Sequence, residues 1–243
     1  MKKVTLYPEL IASFLRINLE KEFLAWNIIR TINDSAGVVN YSDIVNIISN
    51  IFNISKTQSY QIAKNGTNIF WRKSNNNKKS QNCGLVSLSN VIKYADINIT
   101  KTKPFEIPAK IFLQTSAKEN KNFLISLVAS RYAEYKPLSI KIIAENTGLS
   151  ETTVRNALHQ CPYVKITSNF NIIESFTTLD DVKSHRINNA RYKIENINGK
   201  YNLLRQDANF YEIICFDRKS LKSRPKELKN KTNTFKENIP LHI

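Results

Sequence analysis

The chain has 243 residues, of which 42% are hydrophobic and 10% aromatic, so it carries enough apolar material for ordinary folded cores. Its 36 Lys and Arg residues against 20 Asp and Glu residues give a formal net charge of +16. That balance argues against an acidic partner-binding or calcium-loading protein and favours a polyanionic ligand. Only 5 Gly and 7 Pro residues are present, which excludes collagen-like and linker-like chains.

The cysteines and the hydropathy pattern indicate the compartment. Cys83, Cys161 and Cys215 lie far apart and form no C-x-x-C pair, so we expect neither a disulfide framework nor a four-ligand zinc site. No signal-peptide h-region and no run of about 18 apolar residues occurs. We therefore expect a cytoplasmic protein associated with the nucleoid, without a membrane segment, a cofactor or a metal site.

A weak internal repeat organises the chain. The segment Val4–Ile11 recurs in character as Pro104–Ile111, and each copy continues into an apolar helix with a spacing near 3.6 residues. Ser42 and Ser139 then begin the next segment of each copy, and both have N-cap chemistry. The repeat predicts two related domains.

The second copy contains the sharper motif, at about 139–160. Ala144, Gly148 and Val154 have the spacing of a helix-turn-helix: the alanine is small where two helices cross, and the glycine permits a left-handed turn. Ser150 is placed to cap the following helix. This segment resembles the helix-turn-helix superfamily in its winged-helix form, which implies DNA binding by the second helix. The alternative is a plain helical hairpin in an all-α domain.

The first copy, at about 41–66, is a divergent version of the same motif. Alignment of its Ser55 with the cap of the second copy places Ser49 at the small position and Asn53 at the turn. Asparagine tolerates positive φ better than other non-glycine residues. Ser59 departs from the pattern, because it occupies the position of a buried valine.

Strand patterns follow both motifs. The first wing is predicted at about 68–89, as strands at 68–73 and 84–89 around a polar tip. After the second motif the predicted strands are 163–167 and 170–174 as a second wing, 191–196 and 200–204 as a hairpin around Asn198–Gly199, and 210–216.

These patterns predict a helix-rich α+β protein. It has two tandem winged-helix domains, 1–100 and 101–216, with an additional β-hairpin in the second domain. From Arg218 onward basic residues dominate and apolar residues are scarce, so we expect 217–243 to be a flexible basic tail.

The distribution of charge points to DNA more than its total does. No acidic residue occurs between Asp43 and Asp96, although this window contains seven basic residues. It covers the second helix and the wing of the first copy, and cationic side chains on such a surface bind phosphates with release of counterions.

The candidate DNA contacts are the polar residues expected on the outer faces of the second helices and on the first wing. In the first copy they are Lys56, Thr57, Gln58, Gln61, Lys64, Asn65, Arg72, Lys73, Lys78 and Lys79. In the second copy they are Glu151, Thr152, Arg155, Asn156 and His159. Glutamine and asparagine pair with adenine, arginine pairs with guanine, and glutamate accepts from cytosine in the major groove. The wing and tail lysines are expected to contact only the DNA backbone.

An enzyme is not expected. None of His159, His185 and His242 lies near a convincing Ser or Cys motif, and there is no Walker loop. The alternatives are a nuclease or recombinase that uses Asp180–Asp181 with Glu227–Lys229, and a module that binds RNA or protein.

The twofold winged-helix layout is similar, at the level of architecture, to that of plasmid and phage replication initiators. We therefore expect a sequence-specific protein that binds double-stranded DNA, as a replication initiator or transcription regulator of a plasmid, phage or other mobile element. Two interpretations stay open. Either both second helices occupy successive major grooves about 34 Å apart, or the first copy binds DNA and the second binds protein. A homodimer and host replication or transcription proteins are the expected protein partners.

Overall fold

A computed structural model describes residues 2–33, 37–73, 82–97, 103–113, 116–134, 136–183 and 192–214. In this part of the chain the protein is α+β: about half of the residues are helical, and the strands form three small antiparallel sheets. Among the described helices, none combines the length and the apolar character that a bilayer crossing requires.

The first half contains a pair of helices that is preceded by one strand and followed by two strands of the same sheet. Its elements are β1 (Lys3–Leu6), α1 (Pro8–Arg16), α2 (Glu20–Ile32), β2 (Val38–Asn40), α3 (Tyr41–Phe52), α4 (Lys56–Asn65), β3 (Trp71–Lys73), β4 (Asn82–Leu85) and α5 (Leu88–Ala95). In the sheet the order is β2-β4-β3, so the strand before α3 pairs with the second of the two strands that follow α4.

The second half keeps the helix pair followed by strands, but a single bridge stands in place of β2, and a short helix and an additional strand are inserted among the strands. Its elements are β5 (Phe105–Pro108), α6 (Ala109–Phe112), α7 (Ala117–Tyr132), α8 (Ile140–Thr147), α9 (Glu151–Gln160), β6 (Val164–Phe176), α10 (Leu179–Lys183), β7 (Tyr192–Ile197) and β8 (Lys200–Ile213). The strand order is β6-β8-β7, and an isolated antiparallel bridge joins Leu138, just before α8, to Asn209 of β8. That bridge occupies the position of β2 in the first half.

The turns inside both helix pairs have the predicted conformation. Asn53 has φ 50° and Gly148 has φ 68°, so each ends its helix in the left-handed region. The side chains of Ser55 and Ser150 accept hydrogen bonds from the amides of Gln58 and Thr153, as N-caps do.

Other caps follow or correct the sequence prediction. Ser139 caps α8 as expected, but the prediction of Ser42 as a cap is wrong. Asn40 caps α3 instead, because it lies at the end of β2 in extended backbone, and its side chain accepts a hydrogen bond from the Ser42 amide. Ser59 is fully buried, and its hydroxyl donates to the Ser55 carbonyl at 2.9 Å, so a polar residue is tolerated at that position.

Several strand predictions are wrong in extent. The strand predicted at 68–73 begins only at Trp71, because Asn68 has positive φ and residues 68–70 form a turn. The strand predicted at 84–89 ends at Leu85, because the Ser87 side chain accepts from the Asn90 amide and starts α5. The predicted strands 163–167 and 170–174 are one strand, β6, whose irregularities at Asn169/Phe170 and Ile172/Glu174 replace the expected turn. Likewise, β8 runs without a break from the hairpin to Ile213. The hairpin at Asn198–Gly199 is present, with positive φ at both residues.

The two halves share one hydrophobic core that is continuous from Val4 to Tyr211. The segments that resemble each other pair directly, since β1 and β5 are antiparallel with Leu6 opposite Phe105. Helix α1 of the first half packs on α7 and α8 of the second. The sequence-based domains at 1–100 and 101–216 therefore pack against each other across an extensive interface.

Arg16 fixes one end of this interface. Its guanidinium donates to the carbonyls of Glu145 and Asn146, at the C-terminus of α8, at 3.4 and 2.9 Å. The arginine stem also covers Gly148, where a Cβ atom would lie 2.7 Å from the Arg16 Cγ. Gly148 is thus required both for its left-handed backbone and for the close approach of α1.

Candidate nucleic-acid interface

The outer face of α4 carries all of the polar residues that the sequence predicted there. Its buried side consists of Ser59, Ile62 and Ala63. The exposed residues are Lys56, Thr57, Gln58, Gln61, Lys64 and Asn65. No Asp or Glu residue lies within α4, so its exposed charges are cationic.

Two of these residues belong to a chain of hydrogen bonds that ends on a carboxylate. The Gln61 side-chain amide donates to the Asn65 Oδ1 at 2.9 Å, and the Asn65 amide donates to the Glu22 Oε1 of α2 at 3.2 Å. Burial raises the pKa of Glu22, and the hydrogen bond from Asn65 opposes that increase. No local sequence pattern indicates this contact, because Glu22 and Asn65 are 43 residues apart.

The acid-free window of the sequence is therefore not acid-free in space. Glu20 and Glu22 line a cavity of about 430 Å³ together with Gln58, Gln61 and Asn65. Both carboxylates are almost fully buried, at 5% and 3% exposure, and Glu20 pairs with Lys121 of α7 at 3.0 Å. The acids lie beneath the polar face and leave its solvent-facing charge positive.

Aromatic side chains that were not predicted from the sequence accompany the cations. The Lys73 Nζ lies 4.4 Å from the centre of the Tyr41 ring, and Tyr41 contacts Tyr60 edge to face. Tyr60 is 56% exposed and lies between Lys56 and Lys64 along α4. Its position four residues from each lysine would have placed it on the same helix face.

Trp71 sets the position of β3 relative to α4. Its indole donates to the Ala63 carbonyl at 2.8 Å, and the ring lies against Gly66, where a Cβ atom would approach it to 2.4 Å. The next two residues, Arg72 and Lys73, are exposed on β3. The predicted contacts Lys78 and Lys79 lie outside the described residues, as does the basic tail.

The five residues predicted on α9 are all exposed, but they divide into two rows. Glu151, Arg155 and His159, each four residues apart, line a groove of about 820 Å³ between α9 and the sheet of the second half. The groove is also lined by Lys141, Ser168, Gln206 and Asn209. Thr152 and Asn156 form the second row, on an adjacent strip of the helix.

Of the carboxylates considered for a nuclease, Asp181 makes hydrogen bonds at the start of a helix. The Thr178 hydroxyl donates to Asp181 at 2.6 Å and accepts from the Asp181 amide, which is the hydrogen-bonding pattern of a helix N-terminus at α10. Glu227 and Lys229 lie outside the described residues. Within the described ranges, no three His, Cys, Asp or Glu side chains are grouped as a metal site would require.

The described thiols are not activated. Burial raises the pKa of Cys161 to about 11, despite a hydrogen bond with Ser126, and burial also raises the pKa of Cys83. Both side chains are buried in the core.

No family model, curated protein or solved structure matches this chain.

Proposed function

We propose that the protein binds double-stranded DNA through two tandem winged helices. The order of elements supports this proposal. In each half a helix is followed by a strand or bridge, then by two helices joined through a left-handed turn, and then by strands. The strand or bridge before the two helices pairs with the last strand after them. This is the order in which a winged helix is built. The helices proposed to enter the major groove are α4 and α9.

The observation that carries the proposal is the cationic face around α4. Lys56 and Lys64 of the helix and Arg72 and Lys73 of β3 are exposed, while the nearby carboxylates Glu20 and Glu22 are buried. Lys56 is the first residue of α4, where the helix dipole favours an anion. A DNA phosphate at this point would satisfy both the lysine and the helix N-terminus.

The hydrogen-bond chain behind this face supplies a basis for reading sequence. An ionised Glu22 only accepts hydrogen bonds, so Asn65 must donate its amide to it and accept from the Gln61 amide. Gln61 then keeps its Oε1 and one N–H for a ligand. That pair of groups matches the N6 and N7 edge of adenine in the major groove.

We propose that the biological role is replication initiation or transcription regulation on a plasmid, phage or other mobile element. The role rests on the architectural similarity to plasmid and phage initiators, and the expected partners are double-stranded DNA, a second copy and host replication or transcription proteins. The second half, in this proposal, adds base contacts through Arg155 and Asn156.

Footprinting on DNA from the protein's own locus tests the proposal. Iterated protected sites support an initiator, and one palindrome over a promoter supports a regulator. Absence of binding at low salt, or equal affinity for RNA and DNA duplexes, would contradict the proposed function. Magnesium-dependent strand cleavage that disappears in Asp181→Ala would instead favour the nuclease or recombinase alternative.

A further inference from the structure

The sheet β6-β8-β7 extends beyond the common core and exposes apolar side chains. Val182 of α10 is buried with Leu203 and Leu204 of β8, and these three lie outside the continuous core. The same sheet exposes Ile172, Ile173, Ile194 and Ile197, at 54%, 48%, 39% and 38%. Ile194 lies on the same face as Leu203, whereas Ile172 and Ile197 lie on the other face with Leu204 and Lys193. Both faces of this outlying sheet therefore expose apolar surface that contact with another protein would cover.

The charge of this region does not suit DNA. Residues 164–183 and 192–213 contain six acidic and five basic residues, a net charge of −1 in a chain of +16. The acids are Glu174, Asp180, Asp181, Glu195, Asp207 and Glu212, and the bases are Lys165, Lys183, Lys193, Lys200 and Arg205. The intervening residues 184–191 add Arg186 and Arg191, so the segment 164–213 as a whole is close to neutral, and two copies can approach through this sheet with little repulsion.

Strand β7 is the edge of this sheet that remains suited to pairing. The other edge, β6, contains two register irregularities, and such bulges interrupt pairing with a further strand. Strand β7 has no register shift over its six residues. Among the described residues, its only strand partner is β8, and the outer strands of the other two sheets are three or four residues long.

The sequence of β7 is complementary to itself in one antiparallel register. If Ile194 lies opposite Ile194 of a second copy, then Lys193 lies opposite the partner subunit's Glu195, and Tyr192 lies opposite the partner subunit's Asn196. Residues that are directly opposite share a face of the sheet, so Lys193 and Glu195 lie on one face, together with Ile197, and the two Ile194 side chains meet on the other face. A shift of one residue would place Ile194 opposite Glu195.

We infer that β7 pairs with β7 of a second copy around a twofold axis at Ile194, which joins two three-stranded sheets into one. In each subunit Lys193 already contacts Glu195 on its own strand, and pairing places a second opposite charge beside each of them. An isologous contact of this kind forms a closed dimer. A six-residue edge is a small interface, so the dimer is expected to exchange with monomer at micromolar concentration.

A cysteine cross-link tests the register. Ile194→Cys, in a Cys215→Ser background, is expected to form a disulfide-linked dimer under mild oxidation, because directly opposite Cβ atoms lie about 4.5–5.5 Å apart. Ile197→Cys is the matched control, since it is exposed on the same strand but has no symmetric partner in this register. If the Ile197→Cys variant cross-links as fast as the Ile194→Cys variant, or if neither cross-links, the proposal is overturned.

A charge swap tests the complementarity without a cross-link. Lys193→Glu and Glu195→Lys each place like charges opposite each other, and each is expected to weaken dimerisation at least about tenfold. The double variant restores opposite charges and is expected to return the dissociation constant to within about threefold of the original. Lys200→Glu, on the same hairpin, serves as the control for a general change of charge.

Sedimentation equilibrium over about 1–200 μM measures the association, and circular dichroism confirms that each variant folds. A wild-type chain that stays monomeric, or a double variant no more dimeric than the single ones, would refute β7 pairing. The test uses no nucleic acid, so a failure of the proposed DNA binding leaves its result unchanged.

Discussion

The two helix pairs have the same backbone design but different charge at the start of the second helix. In α3–α4 and α8–α9, a polar N-cap begins each helix and a left-handed residue separates the two, Asn53 in one and Gly148 in the other. Yet α4 begins with Lys56, whereas α9 begins with Glu151, the charge that a helix N-terminus prefers. Helix geometry alone therefore does not account for the lysine, whereas the proposed anionic ligand would.

The strands that follow the two helix pairs also differ in length and in charge. Strand β3 is three residues long and carries Arg72 and Lys73, while β6 is thirteen residues long and leads into the nearly neutral sheet with exposed isoleucines. Under the proposed function, this difference assigns different roles to the two halves. The first half would contact phosphates, and the second half would make a more selective DNA contact combined with protein contact.

The largest effect is expected from removal of the cations on α4. Lys56→Ala with Lys64→Ala is expected to weaken binding to every DNA sequence by about tenfold or more and to reduce the slope of log K against log salt by about 2, because each phosphate contact contributes about 0.9. Fluorescence anisotropy over a salt series measures both. The control is Lys110→Ala with Lys118→Ala, two exposed lysines elsewhere. An equal loss in the control would show that total charge, and not the face of α4, determines affinity.

A second experiment asks whether both helices read bases. Gln61→Ala and Asn156→Ala are each expected to lose about 1–3 kcal/mol at one base position and little on unrelated DNA. Selection of binding sites from a random library measures the change in preference. If Gln61→Ala changes the preference but Asn156→Ala does not, α9 is not a base-reading helix and the second half is left with protein contact. Equal loss on all sequences would contradict the role of Gln61.

The parts of this fold that the sequence could predict are those determined by neighbouring residues. The helix pairs, their left-handed turns and the caps Ser55, Ser139 and Ser150 follow from side chains that act within a few residues. The prediction of Ser42 as a cap failed narrowly, since Asn40 lies two residues away and its side chain accepts from the Ser42 amide.

The rest depends on contacts between distant segments. The continuity of β6 is imposed by β8, which tolerates bulges where the sequence suggested a turn. The bridge at Leu138, the packing of Arg16 on Gly148 and the buried Glu22 beneath Asn65 each join residues at least 43 positions apart. Periodicity and local propensity carry no information about such pairs.

Arg16 allows a test of how far one half supports the other. Arg16→Ala removes the hydrogen bonds to the end of α8 and part of the packing over Gly148, so the expected loss of stability is about 1 kcal/mol, discounted for exposure of the side chain. Thermal denaturation measures the loss, and hydrogen exchange should show it mainly in α8. Lys21→Ala is the control, an exposed cation on the same half of the chain. If hydrogen exchange increased equally in both halves, Arg16 would not act mainly on the turn that follows α8.

The smallest effect is expected from the protonation of Glu22. Within the described residues, α4 contacts a buried carboxylate whose pKa is raised, and α9 does not. Burial raises the pKa of Glu22 above its usual value of 4.5, so the folded chain holds this proton to higher pH than the unfolded chain does. The free energy of unfolding should therefore fall as pH rises from 4.5 through the folded pKa, and Glu22→Gln should remove that part of the slope. The charges around the site are Glu20, Lys21 and Lys121.

Urea denaturation from about pH 4 to 7 measures the difference, and Glu145→Gln provides the control because that carboxylate is exposed on α8. The Glu22→Gln variant also tests base recognition. A glutamine at position 22 donates as well as accepts, so it no longer forces the Asn65 and Gln61 amides into one orientation. Base preference at the Gln61 position should then broaden while the salt slope stays constant. A broadened preference at a position read by α9 instead would mean that the carboxylate acts through the shared core and not through the amide chain.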